Sequence, residues 1–85
     1  MVYFQKKFDD NQRIIYEYGR NENEFIGTIA FDVGELTNTD FSKRNLELKF
    51  YDGYAFCRLT ASALQGISKF IREDNYPNKY LRATH

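Results

Sequence analysis

The side chains able to do chemistry are few and scattered. A nucleophile needs a basic partner, and the sole histidine, His85, is the last residue, where a fraying chain end makes a poor preorganised site. The sole cysteine, Cys57, falls on an expected apolar face with Leu48 and Leu59. A thiol packed in hydrocarbon has a raised pKa and is unreactive, so Cys57 is expected as a packing residue. Asp32, Glu35 and Asp40 in one stretch, and Asp9-Asp10 in another, could do acid–base work or hold a hard cation. Their spacing matches no calcium loop, and no Cys or His cluster has zinc spacing. Gly27, Gly34 and Gly53 stand singly, without the lysine or helix start of a phosphate cradle. The expectation is a non-enzymatic chain with no catalytic residue, no metal and no cofactor.

Eighty-five residues make one domain, 1–85, near the lower size limit for folding without disulfides or metals. One thiol cannot form an internal bridge. The core must come from aromatic mass, eight Phe and seven Tyr, each ring burying about 150–250 Å². Acids and bases balance at twelve each. No segment offers the sustained positive field of a non-specific nucleic-acid binder, which argues against such a partner. No apolar run suits a membrane span or a signal sequence, so no membrane partner is expected and a reducing, cytoplasmic location is.

The elements that must position any site follow from periodicity. Alternation of period two marks strands at about Val2–Phe8, Gln12–Tyr18 and Glu24–Asp32, separated by turns at Asp9-Asp10-Asn11 and Gly19 to Asn23. Val2, Phe4 and Phe8 should share a face. Tyr51-Asp52-Gly53-Tyr54 reads as a two-residue type I′ hairpin, pairing Phe50–Ala55, Leu48–Cys57 and Leu46–Leu59 on one side. The other side pairs Tyr51–Tyr54, Lys49–Phe56 and Glu47–Arg58. From Thr60 the period becomes helical, with Leu64, Ile67, Phe70 and Ile71 as the apolar stripe. Thr60 is the favoured N-cap, with a Leu59–Leu64 staple, and Ser62 with Gln65 is the competing start. Gly66 is a position where the helix could sit close to a strand. Asn75 would take the left-handed C-terminal position, ahead of Pro77. The tail, Lys79 to Ala83, suits either a short edge strand or a last helical turn. Val33 to Asn45, too long for an ordinary hairpin loop, is either a candidate functional loop or a crossing between sheet edges. The fold class is α+β: an antiparallel meander of about five strands with one C-terminal helix on one face.

Asp52-Gly53-Tyr54-Ala55-Phe56-Cys57-Arg58-Leu59, followed by a helix, resembles the RNP1 strand of RNA-recognition motifs. The resemblance covers these eight residues and implies Tyr54 and Phe56 as a base-stacking platform. It departs from the family at Asp52, at Leu59 and in lacking an earlier helix. A broader signal is the sheet face away from the helix. With Phe4, Ile14, Tyr16, Phe25, Ile29, Leu48 and Phe50 facing the helix, the other side would show Tyr3, Ile15, Ile26, Ala30, Tyr51, Tyr54 and Phe56. That is more apolar than a purely solvated face requires. The functional expectation is a small protein-interaction module, an adaptor, inhibitor or homodimerising domain, binding another protein or itself through Tyr3, Tyr51, Tyr54, Phe56 and Arg58. The alternative is a single-stranded RNA or DNA binder stacking bases on Tyr54 and Phe56.

Overall fold

The computed structural model describes residues 1–34 and 43–83. Most of the expected loop, with Glu35 and Asp40, and the terminal His85 lie outside the described residues. Four strands follow one another, β1 (Val2–Asp9), β2 (Arg13–Asn21), β3 (Glu24–Asp32) and β4 (Glu47–Phe50). A connector leads to helix α1 (Arg58–Glu73), and the tail forms β5 (Lys79–Arg82). The sheet is antiparallel throughout, in the order β4-β3-β2-β1-β5. The α+β class, the meander and the C-terminal helix are thus as the period change at Thr60 indicates. The tail takes the edge-strand option.

The helix has a topological task. β4 and β5 are the two sheet edges, and α1 carries the chain from one to the other. Sixteen helical residues span about 24 Å, enough to cross five strands spaced about 4.8 Å apart. In crossing, α1 buries Ala63, Gly66, Ile67, Phe70 and Ile71 against Val2, Phe4, Ile14, Tyr16, Tyr18, Ile29 and Phe31 of the sheet. Leu64 packs at the margin of this core. The Phe4 ring meets Phe70 and Tyr16 edge-on, with centroids 5.3 and 6.0 Å away. A Cβ on Gly66 would come within 2.6 Å of Phe4 Cζ, so the missing side chain is what lets the helix settle on that ring. Tyr16 donates its hydroxyl hydrogen to the Pro77 carbonyl at 2.6 Å, tying the tail to the sheet centre.

The hairpin expected at Tyr51–Tyr54 is a correction. The turn exists, with the Tyr54 amide donating to the Tyr51 carbonyl at 3.0 Å, but only Gly53 (φ 84°) takes a positive φ there. A type I′ turn needs positive φ at both central residues. With one, the turn is not twisted to return a strand, and residues 54–57 leave the sheet. Beyond that Tyr51–Tyr54 turn bond, none of the expected pairs across the hairpin forms. Glu47 instead reaches Arg13 at 3.5 Å and Lys49 at 3.3 Å.

The helix therefore starts earlier than Thr60. Cys57 is the N-cap, and Thr60 stands three residues inside. The Thr60 hydroxyl accepts from the Cys57 amide at 3.4 Å and shares a hydrogen with the Tyr18 hydroxyl at 3.0 Å. Thr60 is wholly buried, so the helix start is pinned to the sheet. Cys57, expected in the core, is exposed. Its thiol pKa lies below the ordinary value, chiefly through a backbone hydrogen bond with Thr60. At the other helix end Asp74, not Asn75, is left-handed (φ 48°). The Asp74 and Asn75 amides donate to the Ile71 and Phe70 carbonyls, the Schellman pattern.

Phe8 is a second correction. The β1–β2 register slips between Lys6 and Phe8, so that Phe8 stands opposite Ile15. One extra residue turns every later side chain to the other face. Phe8 is exposed, away from Val2 and Phe4. The first turn itself is as its residues suggest. Asp9 Oδ1 accepts from the Asn11 amide, and Asp10 Oδ1 from the amides of Gln12 and Arg13, leaving Asn11 at φ 69°.

Candidate functional site

The register puts the open face of the sheet in rows. The first row is Leu81, Tyr3, Gly19 and Phe25. The second is Lys79, Gln5, Glu17, Thr28 and Lys49, and the third is Phe8, Ile15, Ala30 and Glu47. Two apolar rows therefore flank a polar one.

In the first row the Tyr3 and Phe25 rings lie 5.9 Å apart, tilted at 51°. Leu81, opposite Tyr3 on the edge strand, is 55% exposed. A hollow of about 280 Å³ lies beside them, lined by Tyr3, Leu81, Asn21 and Glu22. Gly19 makes this row possible. A Cβ there would collide with the Glu24 carbonyl and come within 2.5 Å of Phe25 Cα, so the β2–β3 ladder shifts register at this point. The shift moves Phe25 to the open face, correcting its expected place under the helix. Ile26, expected on the open face, is 2% exposed and belongs to the core.

The polar row centres on Glu17. The Tyr51 hydroxyl donates to its carboxylate, and Lys7 approaches at 3.9 Å. Burial, then this hydrogen bond, pushes the Tyr51 phenol up to about 12, so it stays a donor at neutral pH. At the far end of the face Arg13 Nη1 meets Asp32 at 2.7 Å, and Asn45 donates to the other Asp32 oxygen at 2.6 Å. A hollow of about 160 Å³ is lined here by Arg13, Ile15, Thr28, Ala30, Glu47 and Lys49. It falls below the roughly 300–1,000 Å³ of small-molecule sites. Among the described residues no group of three His, Cys, Asp or Glu could hold a metal, and no helix is long and apolar enough to cross a membrane.

The Asn45 hydrogen bond, then Arg13, holds the Asp32 carboxyl below its ordinary pKa of 3.8. A depressed folded-state pKa gives stability that is full above the unfolded value and lost as pH falls through the folded one. Asp9 and Asp10 shift the same way through the turn amides. Acid unfolding should therefore begin below about pH 4, and Asp32→Asn should flatten part of that slope. A variant whose melting temperature falls as steeply as the parent's over the same pH range would contradict this.

Of the expected contact residues, Tyr3 and Tyr51 are on the open face. Tyr54 and Phe56 stand in the connector, 39% and 59% exposed, and Arg58 is the first helical residue. The segment resembling RNP1 is therefore not a strand, and its two rings do not share a sheet surface by alternation. Phe25, Leu81 and Phe8 are open-face residues that alternation alone misplaced or left out. No known protein family, curated protein or solved structure matches the chain. The site has to be read from its own chemistry.

Proposed function

We propose that the chain is a small non-enzymatic protein-interaction module, with the Leu81–Tyr3–Phe25 row and Tyr51 as its contact surface. The observation carrying this reading is the apolar row that runs from exposed Leu81 on the edge strand across half-buried Tyr3 and Phe25, whose rings are already packed on each other. Preordered aromatics lose little side-chain entropy on contact. Tyr54, Phe56 and Arg58 extend the surface along the connector, and the charged residues of the middle row, Glu17 and Lys49, give it a polar rim. A protein partner fits better than a small molecule because the face is broad and its hollows are shallow or small.

The test is affinity capture from a native lysate after nuclease treatment, comparing the parent with Leu81→Asp and with Tyr54→Ser/Phe56→Ser. Both variants alter exposed side chains and should keep the parent's circular dichroism. Loss of a stoichiometric protein partner with both, at unchanged fold, is the expected result. Capture that disappears with nuclease alone would replace this reading with the single-stranded nucleic-acid one. Unfolding of the double variant would show that its rings belong to the core.

A further inference from the structure

The strongest feature outside the open-face surface is the outer edge of β4, which no other strand pairs among the described residues. We propose that two copies of this chain pair antiparallel along β4, about a two-fold axis at Leu48, joining their sheets into one. The proposal shares only Lys49, on the polar rim, with the open-face surface and does not rest on that reading.

The backbone fixes which groups are available. The Tyr51 amide donates to the Ile26 carbonyl at 3.0 Å, extending the β3–β4 ladder in register with Gly27↔Phe50 and Thr28↔Lys49. In an antiparallel ladder hydrogen-bonded residues alternate with non-bonded ones. Lys49 and Glu47 therefore spend their backbone groups on β3, as Tyr51 does, while Leu46, Leu48 and Phe50 turn theirs to the outer edge. An edge of unspent donors and acceptors is a template for another strand.

The side chains then select the register. Centred on Leu48, the outward groups of Leu48 meet those of the partner's Leu48, and those of Leu46 meet the partner's Phe50. These residues lie on the helix side, where Leu46 and Leu48 already pack on the core and Phe50 is left 37% exposed. On the open side Glu47 falls opposite the partner's Lys49, and Lys49 opposite the partner's Glu47. These are the non-bonded positions, where side chains approach most closely. Within one chain the two charges already meet at 3.3 Å, so pairing between copies extends an existing ion pair.

Other registers lose this match. A centre at Glu47 or Lys49 still lets the outward backbone groups meet, but sets like charges directly opposite each other. A centre at Leu46 sets Lys49 against the partner's Lys43, and a centre at Phe50 leaves the charges unpaired. The other edge, β5, carries Lys79 and Arg82 and no acid, so two copies would bring only cations together, a common safeguard against edge pairing. A two-fold contact of this kind closes on itself.

The decisive experiment uses two charge variants of the full chain, Glu47→Lys and Lys49→Glu, in sedimentation equilibrium from micromolar to millimolar protein at low salt. The parent should be a dimer at the upper end. Each variant alone places two repelling pairs in the seam and should dissociate about tenfold more readily or worse. An equimolar mixture restores opposite charges at every position and should recover the dimer as a heterodimer. Both altered side chains are exposed, and circular dichroism confirms that each variant is folded. A parent that stays monomeric throughout overturns the proposal. So do variants that dimerise as the parent does, a mixture that fails to recover association, or association that grows beyond a dimer.

Discussion

Phe4→Ala should cost about 3–5 kcal/mol of folding stability, the range for deleting a buried phenyl ring from a core that cannot collapse around the gap. Collapse is blocked on several sides. Phe4 is fully buried, with Phe70 and Tyr16 edge-on and Tyr80 tilted at 6.3 Å. Above it the helix presents Gly66, which has no side chain to move into the space. Those neighbours are themselves held, Tyr16 by Pro77 and Tyr80 by the Lys69 ammonium, which donates to its hydroxyl at 2.7 Å. Total stability of a domain is about 5–15 kcal/mol, and a chain this short lies toward the lower end, so the variant should be partly unfolded at room temperature. Phe4→Leu keeps most of the volume and should lose appreciably less. Urea unfolding of the three proteins decides it. A Phe4→Ala midpoint close to the parent's would mean that α1 can slide to fill the cavity, and that Gly66 does not fix its height.

The parts of this fold legible in the sequence are those where one local rule acts without competition. Glu24–Asp32 is a strand with the expected bounds, and its alternation holds from Gly27 onward. The Ile67, Phe70 and Ile71 spacing admits only a helix buried on one side, and all three are buried. Two rules competed elsewhere. Asp52-Gly53 satisfies the residue preference of a hairpin turn, and the alternation around it supplied a plausible partner strand. The sheet, however, needs a crossing to its other edge, and residues 54–57 provide the start of that crossing. Thr60 suits an N-cap by type, but its hydroxyl is worth more against the buried Tyr18 hydroxyl, where an unpaired polar group would be costly. The cap accordingly moved to Cys57, a residue type that cap preferences do not favour.

The candidate surface was half legible for a related reason. Tyr3 and Tyr51 follow from strand alternation, which holds at both positions. Phe8, Phe25 and Ile26 lie beside register shifts, and a bulge inverts the facing of every residue beyond it. Nothing in the type of Phe8 or Ile26 announces such a shift. Near Phe25 one residue does, since an isolated glycine within a strand pattern is a sign of a bulge or of close backbone approach.

That residue is Gly19, and Gly19→Ala should be among the most damaging single substitutions on the sheet. Its Cβ would meet backbone, the Glu24 carbonyl and Phe25 Cα, and backbone cannot turn aside as a side chain can. Overpacking costs about 1–3 kcal/mol when neighbours can adjust, and here the expected loss is at or above the top of that range. Gly53→Ala is the control. Gly53 has the less permissive dihedral, φ 84°, but nothing lies within 4 Å of a Cβ built there, so its cost should be about 1 kcal/mol. The functional consequence separates the two more sharply. If the Gly19 bulge is what brings Phe25 beside Tyr3, Gly19→Ala should weaken partner capture even at a temperature where it remains folded, and Gly53→Ala should leave capture unchanged. Thermal melts paired with capture assays would show it. Equal destabilisation by the two alanines, with equal capture, would mean that the sheet can regularise its ladder at Gly19 and still present the same face.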